Sequence, residues 1–348
     1  MRVAKLLSCT VSLSTYLIAA GCSADKPEKS QRPLAAPVVV YAARDAQLIQ
    51  PVLDAYTVET GITILLTTEN GRALVDRLAV ERHKPTADLL LTDGVSHLWV
   101  AAEKDIVRPT NSQFLETSIP DYLKDPENLW FALLAYGRTI AYDKRVIEPD
   151  SLSDYAGLGD DRWRGKLCLS SASNADNQAL VAMLIAEHGK RPAELIVRAW
   201  IKNLAMPVLA DDAQILRAIE DGRCSLGIVN SDDVARFERA HPETPLALFW
   251  PPASSGGAYI NIVGAGVSRH ASNPSGAKEL LEWLSSDTGQ KLLAGRNLEY
   301  PVNHHVPADD SLTKWGALPV RPMHISGAGF YYEDAVKLME RARYVRSE

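Results

Sequence analysis

The hydrophobic positions of the chain fall into two alternating rhythms. Short apolar runs, Val38-Val39-Val40-Tyr41, Ile62-Thr63-Ile64-Leu65-Leu66 and Ala87-Asp88-Leu89-Leu90-Leu91-Thr92, read as strands. Between the first two, residues 47–60 place Leu48, Ile49, Val52, Leu53 and Tyr56 at helical spacing, and residues 74–82 repeat the pattern. Pro51 is tolerated only near a first turn, which predicts that the regular helix begins close to it. Strands alternating with helices predict an α/β fold, a parallel sheet with helices on both faces.

Beyond Trp130 the pattern shifts. Thr139-Ile140-Ala141-Tyr142 is extended and is expected to cross between lobes. Alternation resumes with Lys166-Leu167-Cys168-Leu169, helical segments at 178–188 and 193–203, the run Met206-Pro207-Val208-Leu209 and a helix at 213–221. Leu246-Ala247-Leu248-Phe249-Trp250 is a strand stopped by Pro251-Pro252, and residues 259–267 are extended and cross back. An amphipathic helix at 274–293, with a break near Gly289, and a helix at 332–343 follow. This predicts two lobes, 38–136 with 261–311 and 137–260 with 312–348, joined by two hinge crossings around a cleft.

One stretch carries candidate chemistry. Ser225-Leu226-Gly227-Ile228-Val229 is a buried strand that ends in Asn230-Ser231-Asp232-Asp233 and runs into a helix. Ligands of open α/β sheets sit outside the carboxyl ends of the strands, where these two carboxylates stand. Asn230 or Ser231 as a helix cap, with aspartates at the positive end of the helix dipole, is the alternative. Ser173-Asn174-Ala175-Asp176 admits both readings, and helix N-termini also hold anions, which makes Ser171, Ser173 and Asn230 candidates for one.

Composition narrows the partners. With 46% hydrophobic residues, 23% charged and a formal net charge of −6, the chain has no basic cluster and is expected to bind no nucleic acid. The segment Met1-Arg2-Val3-Ala4-Lys5 and the apolar residues 6–20 read as an export signal covering residues 1–21, too short to span a bilayer. Ala19-Ala20-Gly21-Cys22 resembles a lipoprotein processing site, although such sites usually carry Leu where Ala19 stands; an ordinary cleaved signal is the alternative. Cys22 would then carry the lipid, with residues 22–37 as a polar tether to the membrane. Cys168 and Cys224 would face an oxidising compartment beside strands, where a disulfide between them is expected.

No nucleophile–base motif, phosphate-binding glycine loop or CxxC pair is present, so neither an enzyme nor an enzymatic cofactor is expected. His304 and His305 are weak metal candidates that more often sit on a solvated loop; His83 and His97 lack a ligand-spaced partner. Trp99, Trp130, Trp250 and Trp283 read as core by pattern, with Trp130 a candidate to line the cleft.

The residues also carry a family likeness. Val39-Val40-Tyr41-Ala42-Ala43-Arg44, residues 87–92, His97-Leu98-Trp99, Gly227-Ile228-Val229-Asn230, Gly264-Ala265-Gly266-Val267, residues 280–286 and Glu299-Tyr300-Pro301-Val302-Asn303 occur in the order found in the periplasmic ferric-ion-binding proteins. The chain resembles that family over residues 38–307. The resemblance implies a two-lobed type II periplasmic binding fold, an iron cargo, and a monomer that serves the permease and ATPase of an ABC importer.

The likeness breaks at the site. The family's iron-binding tyrosine pair falls on Asp232 and Asp233, a further tyrosine falls on Asp176, and the ligand position after Arg44 holds Asp45. Carboxylates are hard oxygen donors suited to Mg²⁺, Ca²⁺, Mn²⁺ or iron but lack the ferric selectivity of phenolate. Converging carboxylates repel and raise one another's pKa, so the expected ligand is positive: a metal cation held by Asp176, Asp232 and Asp233, or an organic amine.

Overall fold

The computed structural model of the protein describes residues 36–81, 87–319 and 329–345. The expectations for the leader, for Cys22 and for His83 lie outside these residues. Strand β1 (Val38–Ala42) is buried almost throughout and pairs in parallel with β2 (Ile64–Thr68) and β3 (Leu89–Asp93). Helices α1 (Ala46–Thr60) and α2 (Gly71–Val80) alternate with these strands, as the periodicity predicts, and a third helix that it does not mark, α3 (Val95–Glu103), follows β3. Helix α1 starts earlier than Pro51 suggests. The Asp45 side chain accepts the Gln47 N–H at 2.8 Å and fixes the first turn there, leaving Pro51 inside the helix.

The long strand β4 (Phe131–Asp143) is buried at every position. Residues Phe131 to Gly137 pair antiparallel with β8 (Ile260–Val267), and Leu134 and Ala135 pair with the short β9 (Tyr300–Pro301). From Arg138 onward the neighbours change. Arg138 to Tyr142 pair antiparallel with β6 (Leu226–Asn230), and Ile140 to Asp143 pair with β7 (Leu246–Phe249). Strand β5 (Leu167–Cys168) lies parallel to β6. The strand order is β2-β1-β3-β8-β4-β6-β5. Parallel pairs lie at both ends of this order, and the two long strands β4 and β8 run antiparallel to their neighbours.

Helices cover this sheet, α4 (Gln113–Ser118) and α6 (Lys190–Lys202) among them. Helix α5 (Ala175–His188) buries Leu180, Val181, Leu184 and Ile185, and α7 (Asp212–Glu220) packs Ile215, Leu216 and Ile219 into a core shared with Val229 and Val234. A methyl group on Gly227 would lie 2.4 Å from Ile215, which is why β6 carries no side chain there. The segment 274–293 forms two helices, α9 (Pro274–Ser285) and α10 (Asp287–Asn297), with the break at Ser286. Met206 to Leu209 forms no strand beyond one parallel bridge from Leu209 to Ser170. The Cys168–Cys224 disulfide is formed, with 6.0 Å between the Cα atoms.

Candidate functional site

The carboxyl ends of β1, β3 and β6 open on one side. Asn230 ends β6, and Asp232 and Asp233 occupy the first turn of helix α8 (Ser231–Ala240). Arg236, one turn further on, sets Nη2 2.7 Å from Asp232 Oδ2 and 2.7 Å from Asp233 Oδ1. Asp232 is 5% exposed, and its second oxygen, Oδ1, is buried with no hydrogen-bond partner among the described residues. Burial, then the neighbouring Asp232 and Asp212 carboxylates, push Asp233 up to about 7 against the pull of Arg236. Neither Asn230 nor Ser231 caps α8 with its side chain: Asn230 is turned away, and the Ser231 hydroxyl accepts the Gly137 N–H at 3.1 Å.

Asp176 stands in the first turn of α5, which Asn174 caps by accepting the N–H groups of Asp176 and Asn177. Its carboxylate accepts three hydrogen bonds, from Tyr136 Oη at 2.9 Å, Asn261 Nδ2 at 2.6 Å and Asn230 Nδ2 at 2.8 Å. Tyr136 and Asn261 are directly opposed across β4 and β8, so this cross-strand pair forms a cradle for a residue from another element. Burial, reinforced by Asp176, raises the Tyr136 hydroxyl well above its ordinary range and keeps it a donor. Arg138, fully buried, binds Asp212, Asn177, Asn230 and the Ile228 carbonyl, and so fixes the ends of β6, α5 and α7 together.

A third group comes from β1, β3 and α10. Arg44 donates from Nε to Asp93 Oδ1 at 3.0 Å, from Nη2 to Glu299 Oε1 at 2.8 Å, and from Nη1 to Asn297 Oδ1. Burial opposes the charge on Arg44, but Asp93 and Glu299 hold it above its ordinary value. Glu299 is 1% exposed and is pushed up to about 8 by burial, with Arg44 pulling down and Asp232 and Asp93 pushing up. Its Oε2 is buried and has no hydrogen-bond partner among the described residues.

These groups line one cleft of about 250 Å³. Of the residues expected from the sequence, Arg44, Asp45, Asp176, Asn230, Asp232 and Asp233 meet there, beside Asp93, Tyr136, Arg236 and Glu299. Among the described residues, six carboxyl groups face two guanidinium groups there. Ser173 is elsewhere, exposed and bonded to the Ser171 hydroxyl at 2.9 Å. His304 and His305 are exposed and stacked on each other, and His97 Nδ1 bonds the Asp93 carbonyl. Trp130 is buried and does not line this cleft. Among the described residues, no three His, Cys, Asp or Glu side chains are gathered closely enough to hold a metal ion. Asp93 was within reach of the strand-end rule that singles out Asp232. Arg236 has a helical charge-pair signal, whereas Tyr136 has none and Glu299 has only its place in the family-like run Glu299-Tyr300-Pro301-Val302-Asn303.

Comparison with known proteins agrees with this geometry. Residues 52–320 match the family of bacterial extracellular solute-binding proteins. The iron uptake protein A1 of Synechocystis is 30% identical over 325 residues, covering 92% of this chain and 89% of that protein. The solved structure of the Trichodesmium IdiA/FutA protein in complex with iron and citrate ligands superposes with a TM-score of 0.84 at 34% identity, over 89% of this chain and 99% of that one. A Bordetella ferric binding protein gives 0.81 at 30% identity, over 88% and 99%. The chain has the type II periplasmic binding fold of these structures, and it belongs to the bacterial extracellular solute-binding proteins.

Proposed function

We propose that this protein is the cargo receptor of an ATP-driven importer and that it captures a hard cation through the carboxylates of the cleft. The observation that carries this reading is the lining: among the described residues six carboxyl groups face two guanidiniums, and one oxygen of the buried Asp232, Oδ1, has no partner. Buried charge is costly unless compensated, so the cleft favours a cation and disfavours an anion. The relatives described above carry names that specify iron or ferric ion, which makes iron the first candidate cargo. Among the described residues Tyr136 is the one tyrosine that lines the cleft, and it is held as a phenol, so iron would be bound here by carboxylate rather than phenolate.

Capture uses two lobes, residues 38–136 with 261–311 and 137–260 with 312–348. The change of β4 neighbours between Gly137 and Arg138 supports this division, because pairing to either side of that peptide belongs to different strands. A hinge motion there and at Tyr259–Ile260 would draw Asp232 and Asp233 toward Asp93 and Glu299. The loaded receptor would deliver its cargo to a membrane permease and ATPase. It would work as a monomer tethered to the membrane through a lipid on Cys22, a reading supported by Ala19-Ala20-Gly21-Cys22.

An organic amine is the second reading, favoured by a cleft larger than a bare ion needs. Metal analysis of the purified mature protein, with calorimetry against ferric citrate, Fe²⁺, Mn²⁺, Ca²⁺ and putrescine, separates the two. Binding of a metal that is lost in Asp232→Ala/Asp233→Ala is the expected result. Binding of putrescine alone selects the amine, and no binding, or equal binding by the double variant, overturns the cation reading.

A further inference from the structure

Arg236 sits where a cation would sit. Its Nη2 bridges Asp232 and Asp233 at 2.7 Å each, and its Nη1 donates to the Asn297 carbonyl at 3.0 Å. That carbonyl is one of the unpaired acceptors at the carboxyl end of α10, where the helix dipole favours positive charge. The guanidinium is therefore held from two elements. The Arg236 side chain is 38% exposed, whereas that of Asp232 is 7% exposed, so the arginine has a solvated route out and the aspartate does not.

We infer that Arg236 is a resident counter-ion that the cargo must displace, and that it sets which cargoes are accepted. This rests on the cation reading above. One positive charge shared by two carboxylates leaves Asp232 Oδ1 without a partner. A monovalent ion would exchange one such charge for another and lose two charge-assisted hydrogen bonds, so it gains nothing. A multivalent ion brings the extra charge that the unpartnered oxygen lacks, and it displaces the arginine at a net gain. Arg236 thus acts as a selectivity residue: it weakens every cargo and excludes the monovalent ones.

The test is calorimetry of the mature protein with Ca²⁺, Mn²⁺, ferric citrate and Na⁺, comparing wild type, Arg236→Gln and Arg236→Lys. Removing the competitor is expected to tighten multivalent binding on the order of tenfold and to admit monovalent ions. Arg236→Lys keeps a cation at the position without the fork, and is expected to fall between the two. Multivalent binding that is unchanged or weaker in both variants, with wild type binding normally, overturns the inference and leaves the cation reading standing. Absence of multivalent binding by all three proteins overturns both. If Arg236→Gln does not fold, the arginine-to-lysine comparison decides alone: a gain supports displacement and a loss overturns it.

Discussion

Arg44 Nη2 lies 2.8 Å from Glu299 Oε1, two side chains 255 residues apart in the chain. The pair is buried, and its balance is unequal: burial and the nearby Asp232 and Asp93 carboxylates outweigh the pull of Arg44 on Glu299. The folded chain therefore holds a proton on Glu299 that the unfolded chain releases. The ordinary value is 4.5 and the folded value about 8, so between these the folded state binds more protons and this group makes stability fall as pH rises. Glu299→Gln is expected to flatten the stability profile from about pH 5 to pH 8 in urea unfolding. An unchanged slope would show that Glu299 is ionised throughout.

Cargo affinity carries its own pH signature. Asp233 must lose its proton to take a cation, and its folded value is about 7. Binding of a hard cation is expected to weaken by up to tenfold per pH unit below about pH 7 and to release protons on mixing. Calorimetry in buffers of different ionisation enthalpy counts those protons. A proton count of zero at pH 6 argues against Asp233 as a ligand.

Arg138 tests the frame beneath the site. Replacement by Met would leave Asp212 buried with one hydrogen bond from Ser170 and one from the Asn230 N–H, and would remove a donor from both Asn177 and Asn230. Losing one member of a buried ion pair costs roughly 3–5 kcal/mol, readable as a lower denaturation midpoint. A loss below about 1 kcal/mol would mean that water or a side-chain shift replaces the guanidinium.

The disulfide makes a separable contribution. Cys168 and Cys224 are 56 residues apart, and closing a loop of this size restricts the unfolded chain enough to stabilise by about 2–4 kcal/mol. Cys168→Ser/Cys224→Ser is expected to lose that stability while keeping cation affinity, because neither residue lines the cleft. Loss of affinity in a folded double variant would connect β5 to the site.

How far the site can be read from the chain depends on how local each residue's signal is. Asp232, Asp233 and Asp176 follow strands or begin helices, so periodicity alone brings them to the carboxyl ends. Asp93 obeys the same rule but hides behind Thr92, one residue past the apolar run. Glu299 has no periodic signature: the chain leaves α10 through Leu298 at φ 57°, a turn no apolar pattern announces. The alternative reading of Asn230 as a side-chain cap fails for a tertiary reason, since Arg138 and Asp176 compete for its side chain and win. Likewise Pro51 lies within α1 because a cap at Asp45, not the proline, decides where the helix begins.

The neighbour exchange along β4 has a mechanical consequence. Since both edges of the strand change partners around Gly137–Arg138, rotation of one half against the other concentrates into the torsions of very few peptides. Gly137 is also crowded, with Trp250 only 2.6 Å from where a Cβ would lie. On the proposed two-lobe reading, opening and closing would resemble the twisting of a stiff shaft with a single thin section, in which the two ends stay rigid. Amide hydrogen exchange should record this as one narrow band of cargo-dependent protection along the strand, with flat profiles to either side.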